Sequence, residues 1–104
     1  MITDLMQRQP NYRSKPWKEA VASIECCVLC GEYGTQVAHR NEGKGMGMKA
    51  SDCATAALCL SCHHEIDNGK NLSREDRRAM MDKAIVLTLI ELVNRGIVGI
   101  INHP

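Results

Sequence analysis

Two cysteine pairs constrain this chain more than any other feature. Cys27-x2-Cys30 and Cys59-x2-Cys62 stand with 28 residues between them in a chain of 104. Each pair puts two thiols on one knuckle turn. Zinc takes four such ligands at tetrahedral corners, so two knuckles close one structural site. The length suits a single domain, and a domain this small buries only roughly 60–65% of its unfolded surface. A metal staple is a common supplement to so small a core. Cys26 competes less well with Cys27, because Cys26-x3-Cys30 fits the knuckle loosely. Cys53 stands alone and reads as a small buried residue.

The surroundings of the cysteines favour metal over disulfides. Met1 to Pro10 contains Asp4 and Gln7 and lacks the apolar core of a secretory signal. The expectation is a cytoplasmic protein, in a reducing compartment where clustered cysteines bind metal. No apolar run approaches the roughly 20 residues of a membrane helix, so no membrane partner is expected. Cys59-Leu60-Ser61-Cys62-His63 also matches the pattern of c-type haem attachment, but that reading leaves the other pair unexplained. A thioredoxin-like site needs one pair in a βαβ setting, which is missing. A net charge of +1 gives no general attraction to nucleic acid, so any such attraction must come from local patches.

Elements can be placed around this frame. Residues 1–15 read as an extended arm. Pro16 suits a helix first turn, and Trp17, Ala20, Val21 and Ile24 then recur on one helix face. The helix is expected to stop near Glu25. Cys27 to Gly31 is a knuckle, and Thr35 to His39 a short strand centred on Val37. Residues 40–51 hold three glycines (Gly43, Gly45, Gly47) and read as a flexible loop, with a second short strand near its end. Ala54 to Leu58 is simply apolar. A helix is expected over Cys62 to Asp67, stopping at Asn68-Gly69. Ser73-x2-Asp76 resembles a capping box and predicts a helix from Arg74 to about Arg95, ended by Gly96. Its apolar face is expected to include Ile85, Leu89, Leu92, Val86, Ile90 and Val93. The mixed charges of Arg74 to Arg78 read as a solvated helix start. Ile97 to Ile101 reads as a strand or a homodimer surface.

In this order the residues resemble a family. A cysteine knuckle, a strand ending in His39, a variable loop and Cys59-x2-Cys62-His63 opening a helix are similar to the HNH, or His-Me finger, endonucleases with a structural zinc. Ala38-His39, the glycine-rich loop, Lys49-x2-Asp52 and the run from Cys59 to Asp67 resemble more closely the small nucleases assigned to bacteriophages and prophages. The resemblance covers about residues 14–95. It implies an α+β fold in which a zinc-braced ββα finger is flanked by an N-terminal helix and a long C-terminal helix. Within one domain of residues 1–104, the finger with its leading helix would span 16–72 and the C-terminal helix and tail 73–104.

The resemblance also implies chemistry. The activity would be metal-dependent hydrolysis of DNA phosphodiester bonds. His39 would be the general base, and Asp52 is the nearest candidate to orient it or to bind metal. His63 would hold a catalytic divalent metal, Mg or Mn, and Asp67, four residues on, would share its helix face and its metal. Arg40, Lys44 and Lys49 would contact DNA phosphates. Two positions depart from the pattern: Ala38 stands where many relatives carry a metal ligand, and Ala54 where the middle Asn falls. A single finger of this kind cuts one strand, so double-strand cutting would call for a homodimer. The other reading of the same cysteines is a non-catalytic zinc module that binds DNA or a protein partner.

Overall fold

The computed structural model describes residues 12–40 and 50–101. Among the described residues the fold is α+β: three helices around one two-stranded antiparallel sheet. Helix α1 (Lys15–Ala22) begins where Ser14 accepts the Trp17 N–H, with Pro16 in the first turn where its missing donor is harmless. The expected face is inward, with Val21 and Ile24 buried and Trp17 and Ala20 partly so. The helix ends three residues before Glu25, where the Ser23 hydroxyl bonds back to the Ala20 carbonyl.

Strand β1 (Gln36–His39) pairs with β2 (Thr55–Leu58), with Gln36 opposite Leu58 and His39 opposite Thr55. The second strand therefore lies on the segment read only as apolar, not at the end of the loop; Ala50 and Ser51 are not in a strand. All four β2 residues are buried. The reason is its position. One edge meets β1. On the other, Ala57 accepts from the Val28 N–H and donates to Thr88 Oγ1. Both faces are covered as well. Val37 and Ala57 pack with Val21, Ile24 and Leu92, whereas Ala38, Ala56 and Leu58 pack with Cys27, Cys59, Ile66 and Met81. In β1 it is Ala38, rather than the expected centre Val37, that is fully covered. Alanines suit a thin sheet approached closely from both sides.

Helix α2 (Leu60–Asn68) starts two residues earlier than expected, because the Cys59 Sγ accepts the Cys62 N–H and serves as its cap. Helix α3 (Arg74–Asn94) opens with the expected capping box of Ser73 and Asp76. It ends at Arg95 and Gly96, the latter in the left-handed region at φ 75°. Its buried stripe differs from the expected face: Met81, Ala84, Thr88 and Leu92 are inside, while Val86, Leu89, Ile90 and Val93 remain about half exposed. The helix lies over β2 with α1 and α2 on either side of the strand, and it buries a stripe about one residue wide per turn. Ile97 to Ile101 is not a strand. The Ile97 and Val98 amides turn back to the Leu92 carbonyl and tuck Val98 against the core, leaving Ile100 and Ile101 exposed. Among the described residues no helix is long and apolar enough to cross a membrane.

Candidate functional site

The two knuckles meet. Cys27, Cys30, Cys59 and Cys62 form a group whose sulfurs all lie within 4.8 Å of one another, with Cys30 and Cys59 3.6 Å apart. Four sulfurs around zinc, at ~2.3 Å each, would stand ~3.8 Å apart, so the residues present fit a tetrahedral metal. The first knuckle is closed by the Gly31 N–H on the Cys27 carbonyl, with Gly31 at φ 81°. A short antiparallel bridge between Cys26 and Tyr33 braces it. Neighbouring side chains alternate in such extended backbone, which turns Cys27 inward and leaves Cys26 exposed. Cys53, expected to be buried, is exposed. It sits in the turn of residues 52–54, where the inward position is taken by Asp52.

The thiols differ in their readiness to ionise. Burial opposes a charge on Cys27, yet the backbone N–H groups of Cys59, Cys30 and Leu29 outweigh it and lower the thiol from 9.0 to about 7. Burial, joined by the neighbouring thiols, pushes Cys62 strongly up. At Cys30 the Glu32 backbone favours the thiolate, but the Cys59 thiol and burial prevail and raise it. One anion is thus welcome here and four are not. A bound dication removes that conflict, since a coordinating thiol is deprotonated outright.

The histidines lie on either side of the sheet. Alternation along β1 puts Val37 and His39 on one face and Gln36 and Ala38 on the other. On the first face, His39 Nε2 lies 2.9 Å from Asp52 Oδ1. The Asp52 side chain is only 4% exposed and also accepts the Ser14 N–H at 2.8 Å, with Arg13 at 3.7 Å. The His39 bond, then the Ser14 amide, and Lys18 at longer range hold its carboxyl below the usual 3.8. An ionised carboxylate can only accept, so Nε2 donates to it, and in the neutral ring Nδ1 keeps its lone pair. Among the described residues no partner meets that lone pair.

On the second face, His63 Nδ1 lies 2.5 Å from Gln36 Oε1 and its Nε2 3.2 Å from Asp67 Oδ2. With Gln36 presenting its carbonyl oxygen, Nδ1 is the donor, and a neutral His63 turns a lone pair toward the Asp67 carboxylate. Two acceptors face each other, and a proton or a cation between them relieves the clash. Two ligands at ~2.1 Å and a right angle stand ~3.0 Å apart, so the pair also fits one divalent ion. Gln36 is a residue that sequence reasoning missed; its only signal is its place two residues before Ala38 on the same strand face. The two histidines themselves make no contact with each other.

Arg40 follows His39, bonds Ala54 through its backbone N–H and reaches Asp82 at 3.2 Å. With Ile66, Asp67, Arg74, Arg77, Arg78 and Met81 it lines a cavity of about 210 Å³ between α2 and α3. Arg74, Arg77 and Arg78, expected to be merely a solvated helix start, are thereby gathered on one concave surface. Lys44 and Lys49 lie outside the described residues. Against known proteins, the chain matches no family model, no curated protein and no solved structure.

Proposed function

We propose that this protein is a metal-dependent endonuclease that hydrolyses DNA phosphodiester bonds, with β1, β2 and α2 forming a zinc-braced finger of the HNH type. The observation that carries the reading is the dyad of His39 and the buried Asp52 at 2.9 Å, which leaves one imidazole lone pair unengaged. Support comes also from the second pair, His63 and Asp67, beside an arginine-lined cavity, and from the chain-order resemblance.

The chemistry follows from these groups. His39 Nδ1 takes a proton from a water as its oxygen attacks phosphorus, while Asp52 stabilises the imidazolium that forms. The bond from phosphorus to the 3′ oxygen breaks, and that oxygen leaves with the electron pair. A divalent metal held by His63 and Asp67, across the sheet from His39, would neutralise charge on the backbone of the same DNA strand. Gln36 fixes the ring of His63 so that Nε2 is the ligand atom, as outer partners of metal-binding histidines commonly do. Arg40 would hold the backbone phosphate.

One observation favours the second reading, a non-catalytic zinc module. Position 38 lies on the face toward His63, where a further ligand would complete a metal site, and Ala38 supplies none. A supercoiled-plasmid assay separates the two. Wild type should nick with Mg or Mn, EDTA should stop it, and His39→Ala should slow it by about 10²–10⁴-fold with the fold intact. If zinc-loaded wild type leaves the plasmid supercoiled in every metal, the nuclease reading falls and the binding module takes its place.

A further inference from the structure

We infer that the cavity between the end of α2 and the first turns of α3 seats a backbone phosphate of a nucleic-acid strand, next to the His63–Asp67 pair. The identity of the ligand rests on the nuclease reading; the cavity's affinity for an anion does not. Arg40 enters from the end of β1, and Arg74, Arg77 and Arg78 from the first turns of α3. Four arginines thus line one space in which, among the described residues, the acidic lining is Asp67 alone. Asp82 pairs with Arg40 at 3.2 Å from outside that lining. The Asp76 carboxylate is turned away, onto the Ser73 N–H.

Arg77 also keeps a donor to spare. Arg77 gives one N–H to the Asp67 carbonyl at 3.1 Å, which ties its fork to the end of α2, while its buried Nε has no hydrogen-bond partner. A buried guanidinium donor without an acceptor is costly, and a phosphate oxygen is the acceptor whose geometry matches the arginine fork. Asp67 belongs both to this cavity and to the pair with His63. A phosphate seated here lies beside the groups that would hold the catalytic metal. The arginines would then set the register of the strand, a role that carries no base specificity.

The test is binding of a fluorescein-labelled DNA duplex, read by anisotropy over a salt series, in EDTA too dilute to strip the structural zinc. Arg74→Glu with Arg78→Glu reverses two exposed charges in the cavity. Lys15→Glu with Lys83→Glu makes the same change of net charge outside it. Zinc content and melting are checked for both pairs. The cavity pair should weaken binding by at least about tenfold and lower the slope of log affinity against log salt by about 2, with the lysine pair far less affected. Equal losses from both pairs would mean diffuse attraction and overturn the seat. Wild-type binding and nicking by the cavity pair would overturn it while leaving the nuclease reading standing. If wild type neither binds nor cuts DNA, the nuclease reading falls, and titration with inorganic phosphate decides the cavity alone. Shifts of the Arg77 and Arg78 side-chain N–H resonances then support an anion seat, and their absence overturns it.

Discussion

Two histidines lie on opposite sides of one small sheet, His39 on β1 and His63 on α2, each beside an aspartate and each held differently. Asp52, against His39, is 4% exposed, whereas Asp67, against His63, is 34% exposed. The first pair is locked from behind by the Ser14 amide and by the backbone that leads into α1. The second lies on one helix face at i,i+4, with Gln36 of β1 bonded to the His63 ring. A buried acid fixes a tautomer and permits one geometry. An exposed acid can exchange a proton for a cation with little rearrangement. The locked pair thus suits proton transfer, and the open pair suits a metal. Beside the open pair, the four cysteines bring the 27–30 knuckle to the junction of β2 and α2, so a metal held there would support the second face more directly than the first.

The strongest way to break this comparison is to remove a cysteine. Cys59→Ser should unfold the domain, because structural zinc contributes on the order of 10 kcal/mol in small zinc modules. Metal analysis and circular dichroism melting check it. A cooperative melt with one zinc per chain would show that the clamp is not what joins the faces.

Asp52→Asn tests the locked face. It should lower stability near neutral pH by about 1–3 kcal/mol, since it weakens bonds to a buried carboxylate. The pH dependence has a definite sign. The folded carboxyl titrates below its ordinary 3.8. Its stabilisation is therefore complete above the unfolded value and is lost as pH falls through the folded one. The urea-midpoint gap between wild type and Asp52→Asn should narrow below about pH 4. Both proteins lose zinc in acid, so the gap rather than either midpoint is the readout. A gap independent of pH would mean that the Asp52 charge does not hold His39.

Thr88→Val probes the seam between the faces. It removes the acceptor for the Ala57 N–H and should cost about 1–3 kcal/mol in chemical denaturation, more than its near-equal volume suggests. The smallest effect belongs to the outer side of α3. Ile90→Lys should change the melting free energy by no more than about 0.5 kcal/mol, because Ile90 is half exposed. A larger loss that grows with dilution, seen by sedimentation, would reveal that a second copy covers this side.

Much of the candidate site was legible because it is written in short spacings. The two knuckles and the i,i+4 pair of His63 and Asp67 need few residues to specify. Gln36 and the arginine cavity were not legible. Gln36 matters only because α2 lies across β1, and Arg77 faces Asp67 only because α3 returns beside α2. Cys53 was misjudged for a related reason: burial in a turn is decided by which neighbour points inward, and Asp52 already did.

By itself the sequence determined what local chemistry can decide. Ser14 with Pro16, and Ser73 with Asp76, start helices because their side chains satisfy amides within a turn. Gly31 and Gly96 reverse the chain because they accept positive φ. The four cysteines can gather as a group able to hold a metal because their thiols come in knuckles. Only the tertiary structure decided which apolar residues of α3 are inside, where β2 lies, and that His39 and His63 take opposite faces. Those outcomes depend on which surfaces approach one another. A helix period or a strand alternation says that a face exists, and not what will be there to cover it.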